Sequence, residues 1–178
     1  GFILKKQNLT RRLVFMGVMT ALAVICSLDF PLGFTFRVAG FMKFSPAFLI
    51  VGITASVCGY KEAGLVSLLT DVIQGFLFGN FSVLIAVINL LVGICFGLFL
   101  YKKSSMLNIV SSVLITQIVG SLILITAVLC FRFGMPFIPT IYWRELQTVI
   151  MIAVEIPVLW LFIKVIKIPE KITRILNI

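Results

Sequence analysis

Apolar residues along this chain fall into six long blocks separated by short polar breaks. The blocks lie at about residues 10–28, 45–59, 63–78, 81–101, 106–131 and 140–164. A helix rises 1.5 Å per residue, so roughly 20 apolar residues cross the hydrocarbon core of a bilayer. The pattern therefore predicts an all-α integral membrane protein, a single domain over residues 1–178 with six transmembrane helices. The first and second blocks are near the short limit. The first block runs into Asp29-Phe30-Pro31 and not into a small-residue cleavage site, so it reads as a retained span. A basic tail closes the chain.

Charge sets the orientation. With six spans both termini lie on one side. Lys5, Lys6, Arg11, Arg12, Lys61, Lys102, Lys103, Lys164, Lys167, Lys171 and Arg174 fall there, while Arg37, Lys43, Arg132 and Arg144 fall on the other. Cytoplasmic loops carry the excess of Lys and Arg, which puts both termini in the cytoplasm. The four external cations then stand out.

Two of them sit in the longest break. Residues 29–46 read DFPLGFTFRVAGFMKFSP, mixing Asp29, Arg37 and Lys43 with five phenylalanines and two prolines. Such a mixture at a membrane boundary suits an external loop, over about 29–44, that lids a site for a small anion. An ordinary amphipathic connector with an aromatic belt would read the same way.

Ionisable groups inside a span cost roughly 2.5–3.5 kcal/mol each on insertion scales, so each asks for a partner or a cavity. In the last block Arg144, Gln147, Met151 and Glu155 are spaced 3, 4 and 4 apart and share one helical face. Glu155 lies about 16 Å deeper than Arg144. Pro157 follows and removes a backbone donor there. Asp71 and Gln74 share a face of the third block, and Asn89 and Gln117 sit in the fourth and fifth. One reading is a tall cavity with Arg37, Lys43, Arg132 and Arg144 at its rim for a carboxylate. Asp71, Gln74, Asn89 and Glu155 would then meet a flat heterocycle deeper down. The other reading makes these polar groups interhelical glue, the better role for Gln117. In the first block Gly17 and Ala21 form a small-xxx-small pair, suited to close helix contact within the chain or with a partner subunit.

Composition removes several classes. The chain is 61% apolar and 12% charged, with a mean hydropathy of +1.22. Its net charge of +9 is gathered at block ends, with no basic stripe for nucleic acid. There is no histidine, and Cys26, Cys58, Cys95 and Cys130 are far apart in apolar runs. They read as small hydrophobes, with no metal or cofactor implied. No P-loop, GxGxxG or Ser-His arrangement is present, so the chain is read as no enzyme and as carrying no ATPase of its own.

Four stretches, within residues 10–168, carry a family resemblance. LVFMGVMTALAVICSL resembles a first helix with a small-residue strip for a coupling subunit, here Gly17 and Ala21. FMKFSPAFLIVGITASVCGYKEAGLVSLLTDVIQG resembles a Lys–aromatic start, here Lys43 and Phe44, followed by a span placing Asp71 and Gly75. VGICFGLFLYKK and FGMPFIPTIYWRELQTVIMIAVEIPVLWLF complete the set, the latter placing Arg144 and Glu155. In this order they resemble the S components of energy-coupling factor vitamin transporters, most closely the folate-specific FolT group. The resemblance implies the six-helix S-component fold in a bacterial cell membrane and capture of folate or a related vitamin from outside. It also implies docking, within the bilayer, to a transmembrane coupling protein and two cytoplasmic ATPase subunits. Two departures fall where substrate is sorted: a shorter turn at Gly79-Asn80-Phe81-Ser82, and Pro157 after rather than before Glu155. Another anionic vitamin such as pantothenate stays open, as do a non-transport six-span scaffold and a small membrane enzyme. The enzyme would need paired carboxylates at the cytoplasmic face, where Glu62 and Glu170 each stand beside lysine.

Overall fold

The computed structural model describes residues 2–29, 31–38, 42–79, 81–101, 105–132, 134 and 136–177. Side chains at 2–6, 38, 42, 43 and 121 lie outside the description. The chain is a helical bundle. Its elements are α1 (Phe2–Ser27), α2 (Ala47–Cys58), α3 (Tyr60–Phe78), α4 (Val83–Leu100), α5 (Met106–Ile115), α6 (Thr126–Arg132), α7 (Phe137–Trp160) and α8 (Ile168–Leu176). A π-helical stretch, Thr116–Ile125, joins α5 to α6 without a break, and a π-helical turn, Leu161–Val165, extends α7. Among the described residues four rods are long and apolar enough to cross a membrane: Gln7–Ser27, Val83–Leu100, Met106–Arg132 and Phe137–Val165. Helix α2 is apolar but short. Helix α3 is 19 residues long but carries Lys61, Glu62 and Asp71.

Three features depart from the reading of the sequence. Helix α1 starts at Phe2, well ahead of the apolar block, because a helix continues through basic residues that favour it. The break at 29–46 is not all loop. Phe36–Val38 (β1) and Met42–Phe44 (β2) pair antiparallel, Phe36 opposite Phe44 and Arg37 opposite Lys43. Each strand alternates apolar and basic residues, the period of a strand. The basic tail is helical, as α8.

Two apolar clusters hold the bundle. One joins Val51, Ala55, Ala63, Phe96, Leu100, Ile109, Val113, Leu159 and Ile163. The other joins Phe15, Met16 and Met19 of α1 to Ile53, Val57 and Cys58 of α2 and Val66 of α3. Water-driven burial is weak between helices in lipid, so close packing of small residues matters more. Helices α3 and α4 show it. A Cβ added at Gly93 would lie 2.6 Å from the carbonyl oxygen of Ala63, and one added at Gly97 would overlap the Cα of Tyr60. Gly93 and Gly97 are four apart and let the two backbones touch. Gly59, at φ +105°, makes the tight link between α2 and α3 that only glycine enters without strain.

This packing yields a test. Gly97→Val should lower the thermal unfolding midpoint of the purified protein in detergent, reflecting an overpacking cost of about 1–3 kcal/mol. Gly17→Ala should leave the midpoint unchanged, because nothing lies within 4 Å of the added atom.

Candidate functional site

Helices α3, α4 and α7, the π-helical stretch and β1 enclose a cavity of about 470 Å³. That volume is in the range of small-molecule sites. Its wall includes Arg37, Asp71, Gln74, Asn89, Arg144 and Glu155 of the residues proposed from sequence for the substrate, whereas Arg132 is exposed at the end of α6 and is not part of the wall. Phe44 is not part of the wall; it stands in β2 opposite Phe36. The Lys43 side chain lies outside the description. Gln147 and Met151 complete the α7 face that the 3, 4, 4 spacing predicts.

The cavity has two tiers. Toward the hairpin, Asn89 Nδ2 donates to Asp71 Oδ1 at 2.9 Å, and Ser67 Oγ donates to the Asn89 carbonyl at 2.8 Å. Gln74 Nε2 donates to the carbonyl of Ser27 at 2.7 Å, tying α3 to the end of α1. Arg144 is buried, and its Nη1 is 3.4 Å from Gln147 Oε1. Arg37 reaches in from β1, its Nε 2.8 Å from Asp29 Oδ1. Deeper along α7, Gln117 Nε2 donates to Glu155 Oε1 at 2.6 Å. Glu155 is 1% exposed. Its Oε2 has no hydrogen-bond partner among the described residues.

The hydroxyl groups contribute less than their number implies. Thr70 and Thr116 line the cavity, yet each donates to the carbonyl one turn back, at 2.7 and 2.8 Å. This is how a hydroxyl satisfies itself inside a helix. The wall also carries two guanidinium groups, two carboxylates and the amides of Gln74, Asn89, Gln117 and Gln147, bonded to one another or to the backbone and set among Phe48, Phe81 and Phe96. Such a surface can take a carboxylate on arginine and a planar ring with alternating donors and acceptors. No group of three or more metal-binding side chains occurs among the described residues.

Sequence reasoning gave Gln117 to helix packing. It does bridge two helices, but it does so on the cavity wall. Ser27, Ser45, Phe48, Ser67, Thr70, Phe81 and Ser82 also line the space; small hydroxyls and phenylalanines are too common in apolar helices to be singled out by type. Gly17 and Ala21 are exposed on α1, away from the cavity.

Neither a family model nor a curated protein matches the sequence. A solved structure does. The crystal structure of FolT bound with folic acid aligns with a TM-score of 0.76 and 23% sequence identity, over 85% of this chain and 93% of that one. The arrangement of helices is therefore shared almost throughout, and this chain has the FolT fold.

Proposed function

We propose that this chain is the substrate-binding S component of an energy-coupling factor transporter and that its substrate is folate. One observation carries the reading: a bundle with the fold of a folic-acid-binding protein holds a cavity walled by arginines, carboxylates, amides and phenylalanines. Folate has a dianionic glutamate and a flat pterin rich in donors and acceptors. Arg144 and Arg37 suit the first; Asp71, Asn89 and Glu155 suit the second. The reading includes six membrane spans, with α2 and α3 completing the four long apolar rods, and both termini in the cytoplasm. It includes an external lid formed by residues 29–44, whose closure over a ligand would add Lys43 and Phe44, the latter outside the cavity wall here, to the ligand surface. It also includes docking through Gly17 and Ala21 to a transmembrane coupling protein, itself driven by two ATPase subunits. The chain itself binds and does no chemistry.

Folate titrated into the purified protein should change tryptophan fluorescence saturably. Trp143 is 42% exposed, adjoins Arg144 and stacks edge-on with Tyr142 at 6.0 Å. Trp143→Phe should remove most of that signal without removing binding measured by calorimetry. Tight binding of pantothenate in place of folate would keep capture and replace the vitamin. No response to any vitamin anion would return the chain to the scaffold reading.

Arg144→Ala should weaken folate binding at least about tenfold, the loss for truncating one side of a buried charged contact. Arg144→Lys should not restore it, since a lysine has no fork for a carboxylate. Gln117→Leu should cost about 1–3 kcal/mol of stability, by leaving a buried carboxylate without its donor. Glu155→Gln, which keeps an oxygen for Gln117, should cost less. Unfolding midpoints in detergent separate the two.

A further inference from the structure

The chain continues past α7 into a helix that the cavity does not use. Lys167 takes a left-handed conformation, φ 57° and ψ 41°, uncommon for a residue with a Cβ. It redirects the chain, and Pro169 opens α8. Ile168, Ile172 and Leu176 are four apart and form one face. That face packs on the cluster of Phe15, Met16, Met19, Ile53, Val57 and Cys58. Arg11 Nη1 donates to the Leu176 carbonyl at 3.1 Å and holds the far end of α8 on α1. Helix α2 explains why the helix fits there. Its 12 residues span about 18 Å, against about 30 Å for a hydrocarbon core. Helix α8 packs on it near Val57 and Cys58, where α2 stops.

The charged residues of α8 face outward, while Pro169 is buried. Lys171 and Arg174 are exposed, as are Lys164 and Lys167 before it; Glu170 is the single carboxylate on the helix. Ile175 is 78% exposed and lies one turn from Lys171, so the two are neighbours on the surface. Among nearby charges, Arg12 is paired with Glu62 at 3.5 Å, and Arg11 and Lys61 are exposed cations. An exposed isoleucine flanked by cations, on a helix at the edge of an apolar bundle, is the pattern of a helix lying in a membrane interface.

We propose that α8 binds anionic lipid headgroups. Lys164, Lys167, Lys171 and Arg174 engage the phosphate-bearing headgroups while Ile175 enters the upper acyl region. The apolar residue beside the cations favours a lipid surface over an acidic protein, which would leave Ile175 against water or polar groups.

The test is amide hydrogen exchange of the full chain in nanodiscs of phosphatidylcholine, alone or mixed with phosphatidylglycerol. Residues 168–177 should exchange at least about fivefold more slowly with phosphatidylglycerol, the factor for one surface cation. The difference should vanish at high salt and in the variant Lys167→Gln/Lys171→Gln/Arg174→Gln, while α3 exchanges alike in every sample and shows that the variant is folded. Ile175→Ser should reduce the protection in both lipids. Equal exchange of α8 in the two lipids would overturn the proposal, as would a lipid difference that survives the triple substitution. So would protection by soluble polyglutamate in phosphatidylcholine equal to that from phosphatidylglycerol, which would assign the patch to an acidic polypeptide.

Discussion

The close approach of α3 and α4 underlies the site. Two helices with ordinary side chains between them pack 8–10 Å apart on their axes. Here Gly64, Gly93 and Gly97 remove those side chains, so that Gly93 meets the Ala63 backbone and Gly97 meets Tyr60. Only with the backbones this near can Ser67 reach the Asn89 carbonyl and Asn89 reach Asp71 across the seam. The polar wall of the cavity is thus a consequence of glycine placement one to three turns away. The polar pair in turn makes the seam specific, since sliding either helix by one residue would strand a carboxylate in an apolar setting.

A second dependency lies at the hairpin. The Arg37–Asp29 ion pair is partly exposed, and exposed pairs contribute little, about 0–1 kcal/mol. The segment before the hairpin is held instead by backbone and hydroxyl contacts: Thr35 donates from its N–H to the Leu28 carbonyl and from its hydroxyl to the Cys26 carbonyl, at 3.0 and 2.9 Å. Ser45, after the hairpin, also reaches Cys26, at 3.4 Å. The end of α1 therefore anchors both ends of the hairpin, and Arg37 is left on a weak tether at the cavity edge. A cation held that way can exchange a surface carboxylate for a ligand's at small cost.

Much of this was legible from the sequence, for identifiable reasons. The apolar blocks gave the long helices because a bilayer demands unbroken runs. The Arg144, Gln147, Met151 and Glu155 face was readable because an α-helix has a fixed period. Gln117 was not. Its meeting with Glu155 occurs at the start of a π-helical stretch, where the fixed period no longer says which way a side chain turns. The hairpin was hidden because strands of three residues, Phe36–Val38 and Met42–Phe44, are too short to show a period of two against a phenylalanine-rich background. The α8 helix was hidden for another reason: its apolar face is completed only by α1 and α2, so that in isolation Ile168, Ile172 and Leu176 look like scattered residues in a basic tail.

The two ends of the bundle are built on opposite principles. At the hairpin end the polar groups turn inward, and Leu32, Phe34 and Phe36 are left exposed. At the α8 end the apolar groups turn inward and the cations outward. The polar lining is thus gathered at one end of the interior, while the other end is plugged by the second apolar cluster and α8. The polar lining runs from the hairpin side as far as Gln117 and Glu155. Beyond them Phe96, Leu100, Ile109, Val113, Leu159 and Ile163 close the path. Passage straight through would require separating that cluster, whose members are largely or fully buried.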